Sequence, residues 1–232
     1  MKANPSQRYL AIRYGQMLAI GAFHSAAALS SEIKYNSTGM WPAFAAVSAY
    51  LNGVKAPKSP LEFLPTFEKT FIYTTSPDII VSVIKQTIQQ EKSDVLQAYL
   101  TGVEDFPIEV ETSSGSMGLM VLQYYANKPT LSRQTANRLF DDLNRYKQQY
   151  PESFRYWGLV APYFYSAFYA GNLDKVAEIL ENDFPVDFRY WTLRYKFTEF
   201  VLQGWKDDPN VIELLARIEK DQARARKKFG LQ

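Results

Sequence analysis

SFRYWGLVAPYFYSAFYAGNLDKVAEILENDFP, Ser153 to Pro185, runs directly into VDFRYWTLRYKFTEFVLQG, Val186 to Gly204. The string Phe-Arg-Tyr-Trp occurs in both, with its Phe at 154 and at 188, a separation of 34 (188 − 154). Each copy follows an aromatic-Pro pair, Tyr150-Pro151 or Phe184-Pro185. A fixed spacing of this size marks one structural unit used twice.

The second copy also says how its helix is surrounded. Phe188, Trp191, Tyr195 and Leu202 fall on one side, and Tyr190, Leu193, Phe197, Phe200 and Val201 on another. Arg189, Thr192, Lys196, Glu199 and Gln203 form a polar strip between them. A helix at the edge of a simple bundle needs one apolar stripe. Two apolar flanks imply neighbours on both sides, as inside a helical solenoid. FRYW then opens the first helix of each unit, with its Trp and Tyr wedged between neighbours.

The helical period extends through most of the chain. SPDIIVSVIKQTIQQEK, from Ser76, has a Ser N-cap, Pro77 at the first position and a stripe of Ile80, Val83, Ile84 and Ile88. A shorter helix follows to Phe106-Pro107, and IEVET alternates as a short extended stretch. SSGSMG, Ser113 to Gly118, reads as the flexible joint of the chain. GLMVLQYYAN and LSRQTANRLFDDLNRYKQQYP form the next pair, the latter with Ala136, Leu139, Phe140, Leu143 and Tyr146 on one face. SFRYWGLVAPYFYSAFYAG is predicted as one long helix, broken at Gly171-Asn172. LDKVAEILENDFP follows, then the helix broken at Gly204 and a last helix from Asp208 to Phe229. The ends VEDFP, KQQYP and ENDFP repeat one phrase, an aromatic before a helix-stopping proline.

Residues 1–75 are read as an N-terminal helical segment packed on the remainder. It holds a helix from about Ser6 to Ser30, a second in WPAFAAVSAYLNG, a loop at VKAPKSP and a helix in LEFLPTFEKTFIY. Residues 76–232 form the repeat region, ending in a basic capping helix over 208–229.

The 34-residue register of paired antiparallel helices resembles the tetratricopeptide repeat, whose first helix carries W-x2-L-G-x2-Y and whose unit closes with Pro. Trp157 is followed at those offsets by Val160, Ala161 and Phe164, Pro185 takes the closing place, and GNLDKV looks like the turn between helices. The match is degenerate. Gly171 comes about three residues late, the small and aromatic positions of the second helix fall on Leu173 and Ala177, and Arg194 and Tyr195 stand where Leu and Gly belong. The resemblance covers about residues 118–204, with Ser76 to Pro107 as a more diverged unit. DDPNVIELLARIEKDQARARKKFG is similar to the closing helix of bacterial regulators that carry such repeats.

The resemblance implies an all-α fold, antiparallel pairs stacked as a short right-handed solenoid, with first helices lining a concave groove that receives a peptide. Shifting the polar strip back by 34 gives Arg155, Gly158, Pro162, Tyr165 and Tyr169. Arg155 and Arg189 would then align on adjacent helices and offer two planar forks to a carboxylate. Tyr165, Tyr169, Lys196 and Glu199 complete the expected contact set. Pairing of both arginines with neighbours such as Glu152 and Asp187 is the plainer account and carries more weight. Exposed Tyr165 and Tyr169 would alternatively serve a saccharide-binding module as stacking platforms.

Composition narrows the chemistry. The chain has 232 residues, 47% hydrophobic and 22% charged, with 16 Tyr and 15 Phe. Such ring content fills helix interfaces or lines a binding face. A net charge of +2 is too mild to argue by itself for a nucleic-acid partner, leaving the basic stripe Arg217, Lys220, Arg224 and Lys228 as the basis of that minority reading. Val211, Leu215, Ile218, Gln222 and Ala225 face the other way.

Cysteine is absent and His24 is the one histidine, so thiolate and histidine-cluster metal sites are excluded and no cofactor is expected. A triad would have to rest on His24, which sits in an Ala-rich helix as a structural residue. Adjacent acids at Glu104-Asp105, Asp141-Asp142 and Asp207-Asp208 keep a two-carboxylate hydrolase open as an alternative, as is a helical enzyme with its site in the first 75 residues. Met17 to Leu29 is too short to span a bilayer, and Arg13 and Gln16 interrupt the apolar run that would make a signal peptide. The expectation is a non-enzymatic, cytoplasmic adaptor holding a protein or peptide, with export as the alternative location.

Overall fold

A computed structural model describes residues 7–30, 32, 50, 84, 85, 88, 89, 113–156, 159–184 and 195–231, some of them by backbone alone. The fold is all-α, with no strand among the described residues. Helix α1 spans Gln7–Ala19 and α2 Phe23–Ser30. Further on come α3 (Ser113–Tyr125), α4 (Pro129–Gln149), α5 (Pro151–Tyr156), α6 (Val160–Ala170) and α7 (Leu173–Asn182). Helix α8 (Tyr195–Val201), a 3-10 turn at Gln203–Trp205 and α9 (Pro209–Phe229) complete the described chain.

Local chemistry sets most of these boundaries. Pro129 and Pro209 stand at helix starts, where a missing N–H costs nothing. The Asp208 carboxylate caps α9 by accepting from the Asn210 amide at 2.8 Å, and Asn172 caps α7 through the Lys175 amide at 3.4 Å. Gly171 closes α6 and Gly230 closes α9, each with the left-handed φ that a helix C-terminus favours, 79° and 61°.

Helix α6 is the axis of the molecule. Every residue from Val160 to Tyr169 is buried, against α3 and α4 on one side and α7 on another. Helix α4 contributes Ala136, Leu139, Phe140 and Leu143, and α9 contributes Val211, Leu214 and Ile218 to the same continuous core. Two buried hydroxyls tie α4 to α3: Ser132 donates to the Met120 carbonyl and Thr135 to Gln123 Oε1, both at 2.8 Å.

Three expectations are corrected. SSGSMG is not a joint but the first turns of α3, with Gly115, Met117 and Gly118 buried. Small side chains permit close helix approach there, and burial outweighs the poor helix propensity of Gly and Ser. The single helix expected over Ser6–Ser30 is two, parted at Gly21, whose φ of 72° ends α1. The long helix expected over Ser153–Ala170 is also two, because Pro162 lacks the N–H and the room that a helix running through it requires. Val160 restarts the helix, placing Pro162 in its first turn.

Tyr50 and Gln89 lie in expected helices, and the Tyr50 hydroxyl donates to Gln89 Oε1 at 2.5 Å. The extended reading of IEVET, the VKAPKSP loop, Glu104-Asp105, Trp157 and Trp191 lie outside the described residues.

Candidate functional site

The six expected contact residues separate into three groups. Arg155 is exposed near the end of α5, and Glu152 is its ionic neighbour at 3.9 Å. Glu199 is exposed on α8. Arg189 and the side chain of Lys196 lie outside the described residues, so the alignment of Arg155 with Arg189 does too.

Tyr165 and Tyr169 are not exposed, which corrects both the groove and the stacking-platform expectation for them. Tyr165 has no exposed surface; its hydroxyl meets Thr198 Oγ1 at 2.6 Å and its ring packs on Phe197. The Tyr169 hydroxyl donates to the Val201 carbonyl at 2.7 Å, and its ring meets Tyr124 and Trp205 at centroid separations of 5.2 and 4.8 Å. Burial, then the neighbouring phenols Tyr125, Tyr124 and Tyr165, hold the Tyr169 hydroxyl protonated far above the usual tyrosine range. These rings join α6 to α8 and the 3-10 turn.

A related contact brings α3 to α8. The Tyr125 hydroxyl donates to the Phe200 carbonyl at 2.5 Å, and the two rings stack at 4.9 Å. Tyr124 stacks on Trp205 at 5.2 Å. Aromatic residues at the C-terminal ends of α3, α6 and α8 thus share one cluster, closing over α6 at that end.

Sequence reasoning missed a polar cluster between α4, α6 and α7. The Lys147 ammonium pairs with the buried Asp183 carboxylate and lies over the rings of Tyr163 and Phe154, at 5.3 and 5.9 Å. The Tyr163 hydroxyl donates to Asn144 Oδ1 at 2.9 Å. Burial, and then the Glu178 and Asp183 carboxylates, push the Tyr163 hydroxyl up to about 12. A lysine committed to a carboxylate, beside a phenol that keeps its proton, is an anchor rather than an acid–base pair. The signal was the repeated polar-aromatic-Pro phrase, since Lys147 and Asp183 sit just before Tyr150-Pro151 and Phe184-Pro185.

Among the described residues the other candidates show no reactive pairing. Asp141 and Asp142 are exposed on α4, where Asp142 pairs with Arg145, and Asp208 is spent on its cap. His24 lies on α2, with its side chain outside the described residues. Among the described residues no cluster of acids or histidine could hold a metal ion. On α9, Arg217 pairs with Glu213, reaches the Leu180 carbonyl at 3.5 Å and covers the Phe184 ring. Arg224 pairs with Asp221 at 3.6 Å, while Arg226 Nη1 donates to the Ile20 carbonyl at 2.8 Å. Comparison with protein-family models, curated proteins and solved structures finds no match to this chain.

Proposed function

We propose that the chain is a non-enzymatic helical-repeat module that holds a protein or peptide partner on its surface, with Arg155 as a principal contact. The observation that carries this reading is the use made of the interior polar groups. Ser132, Thr135, Tyr125, Tyr165 and Tyr169 each spend a hydroxyl on another helix. Assembly consumes them, which leaves recognition to exposed side chains. The tetratricopeptide-like arrangement belongs to the same proposal: helices pair in chain order, α3 with α4, α4 with α6, α6 with α7, and α8 with α9. The buried Tyr165 and Tyr169 remove the centre of the expected groove, so the contact falls to exposed side chains such as Arg155 and Glu199.

Arg155 suits a carboxylate on the partner. Its pair with Glu152 is long and solvent-exposed, an interaction of about 0–1 kcal/mol, so the guanidinium fork is available. The test is affinity capture from a native lysate with the wild type, Arg155→Ala and Arg155→Lys side by side. Loss of one contact of this kind costs about 2–5 kcal/mol in a recognition site. Both variants are expected to melt with the wild type, and the Ala variant to lose the captured protein, with Lys a poor replacement. Equal retention by all three would remove Arg155 from the function.

A further inference from the structure

Positive charge is unevenly distributed along the chain. Residues 209–232 carry six cations against three acids, and residues 1–31 carry Lys2, Arg8 and Arg13 with no acid. Residues 32–208 carry 17 cations against 21 acids. A net charge of +2 therefore divides into an acidic body of −4 and two ends of +3 each.

The fold brings these ends together. Arg226 on α9 donates to the carbonyl of Ile20, across 206 residues of sequence. Gly21 makes the approach possible, because a Cβ there would lie 2.5 Å from Arg226 Nη1. Arg13 precedes Ile20 by seven residues and Lys220 precedes Arg226 by six, so each lies about 10 Å along its helix from the junction.

The outward faces are mixed in character. On α1, Tyr9, Ile12, Arg13 and Gln16 share the exposed side, opposite the buried Leu10, Tyr14 and Met17. On α9, Lys220, Arg224, Lys227 and Lys228 are exposed, and Phe229 beyond them is 63% exposed. Among the described residues no acid pairs with Arg13, Lys220, Lys227 or Lys228. One cation would answer the helix dipole at the end of α9; the surplus needs another account.

We propose that this joined cationic end docks on an anionic phospholipid surface. Lys220, Arg224, Lys227 and Lys228 meet the headgroups, and Phe229, Tyr9 and Ile12 enter the interfacial layer. Protruding aromatic and aliphatic side chains among cations are what such a layer rewards. A nucleic-acid backbone would engage the same cations but offers nothing to an aliphatic Ile12 beside Arg13. The contact is with the surface, for no described helix is long and apolar enough to cross a membrane.

The test is co-sedimentation of the full chain with phosphatidylcholine vesicles, with and without about 30 mol% phosphatidylserine, and a parallel titration with a short DNA duplex. Binding to the anionic vesicles alone is expected, with release at about 0.5 M salt. Replacing Lys220, Arg224 and Lys227 together by Gln should weaken binding about a hundredfold, near fivefold for each charge. Phe229→Ser, which keeps every charge, should weaken it severalfold. Far-ultraviolet circular dichroism checks folding; should the triple variant be unfolded, Arg13→Gln with Lys228→Gln takes its place. No vesicle binding, unchanged binding by a folded charge variant, or tighter binding to the duplex together with an indifferent Phe229→Ser would each overturn the proposal.

Discussion

The Tyr163 hydroxyl donates to Asn144 while its ring lies beneath Lys147, itself paired with Asp183. Removed from water, this phenol keeps its proton up to about 12, against about 10 in an unfolded chain. Below pH 10 both states hold the proton and stability does not depend on it. Between about 10 and 12 the unfolded chain alone releases it, so stability falls as pH rises. Tyr125 and Tyr169 are shifted in the same direction, each chiefly by burial. Tyrosinate absorbance and helix signal followed together should therefore show a fraction of the phenols ionising only as the helices melt. Tyr163→Phe is expected to make the alkaline loss of stability less steep. Free ionisation of every tyrosine near pH 10 with the helices intact would contradict this burial.

At the scale of the element, the cluster joining α3, α6 and α8 depends on Gly204, in the 3-10 turn that follows α8. A Cβ on Gly204 would lie 2.3 Å from the Tyr124 hydroxyl oxygen and 3.1 Å from the ring carbon bearing it. Tyr124 cannot simply swing aside, because Tyr125, Tyr169 and Trp205 pack around it. Gly204→Ala is expected to cost about 1–3 kcal/mol, the usual range for overpacking. Adding Tyr124→Phe should return part of that loss, and chemical denaturation of the two single variants and the double one gives the coupling. Strict additivity would mean that the two residues do not press on each other. Helices α4, α7 and α9 were legible in the sequence because their starting signals, Pro129, Asn172 and Asp208-Pro209, and their apolar stripes act locally. Tyr165 and Tyr169 were misread for a non-local reason. Subtracting 34 from the polar strip assumes that each first helix keeps one face toward solvent. Helix α6 is packed against α3, α4 and α7 and buries every residue from Val160 to Tyr169, so none of them faces outward whatever the phase. SSGSMG failed similarly, since its burial depends on neighbouring helices that composition does not reveal.

For the whole molecule, the junction of Arg226 with Ile20 ties the first described helices to the last. Removing a charged hydrogen-bond donor costs about 1.5–3 kcal/mol. In Arg226→Ala, amide hydrogen exchange in α1 and α2 is expected to quicken about ten- to a hundredfold, while α4 and α6 stay protected. Equal loss of protection in α4 and α6 would show that the junction supports the entire fold. The link between α3 and α8 has a different consequence. Tyr125 and Phe200 are 75 residues apart, yet hydroxyl meets carbonyl and ring meets ring. Helical arrays lengthen by duplication when each copy touches only its neighbours, since one more module leaves all older joints in place. Here a module inserted between α4 and α8 would part Tyr125 from Phe200 and open the end of the cluster. A further 34-residue stretch inserted there would lengthen the sequence at the expense of this contact.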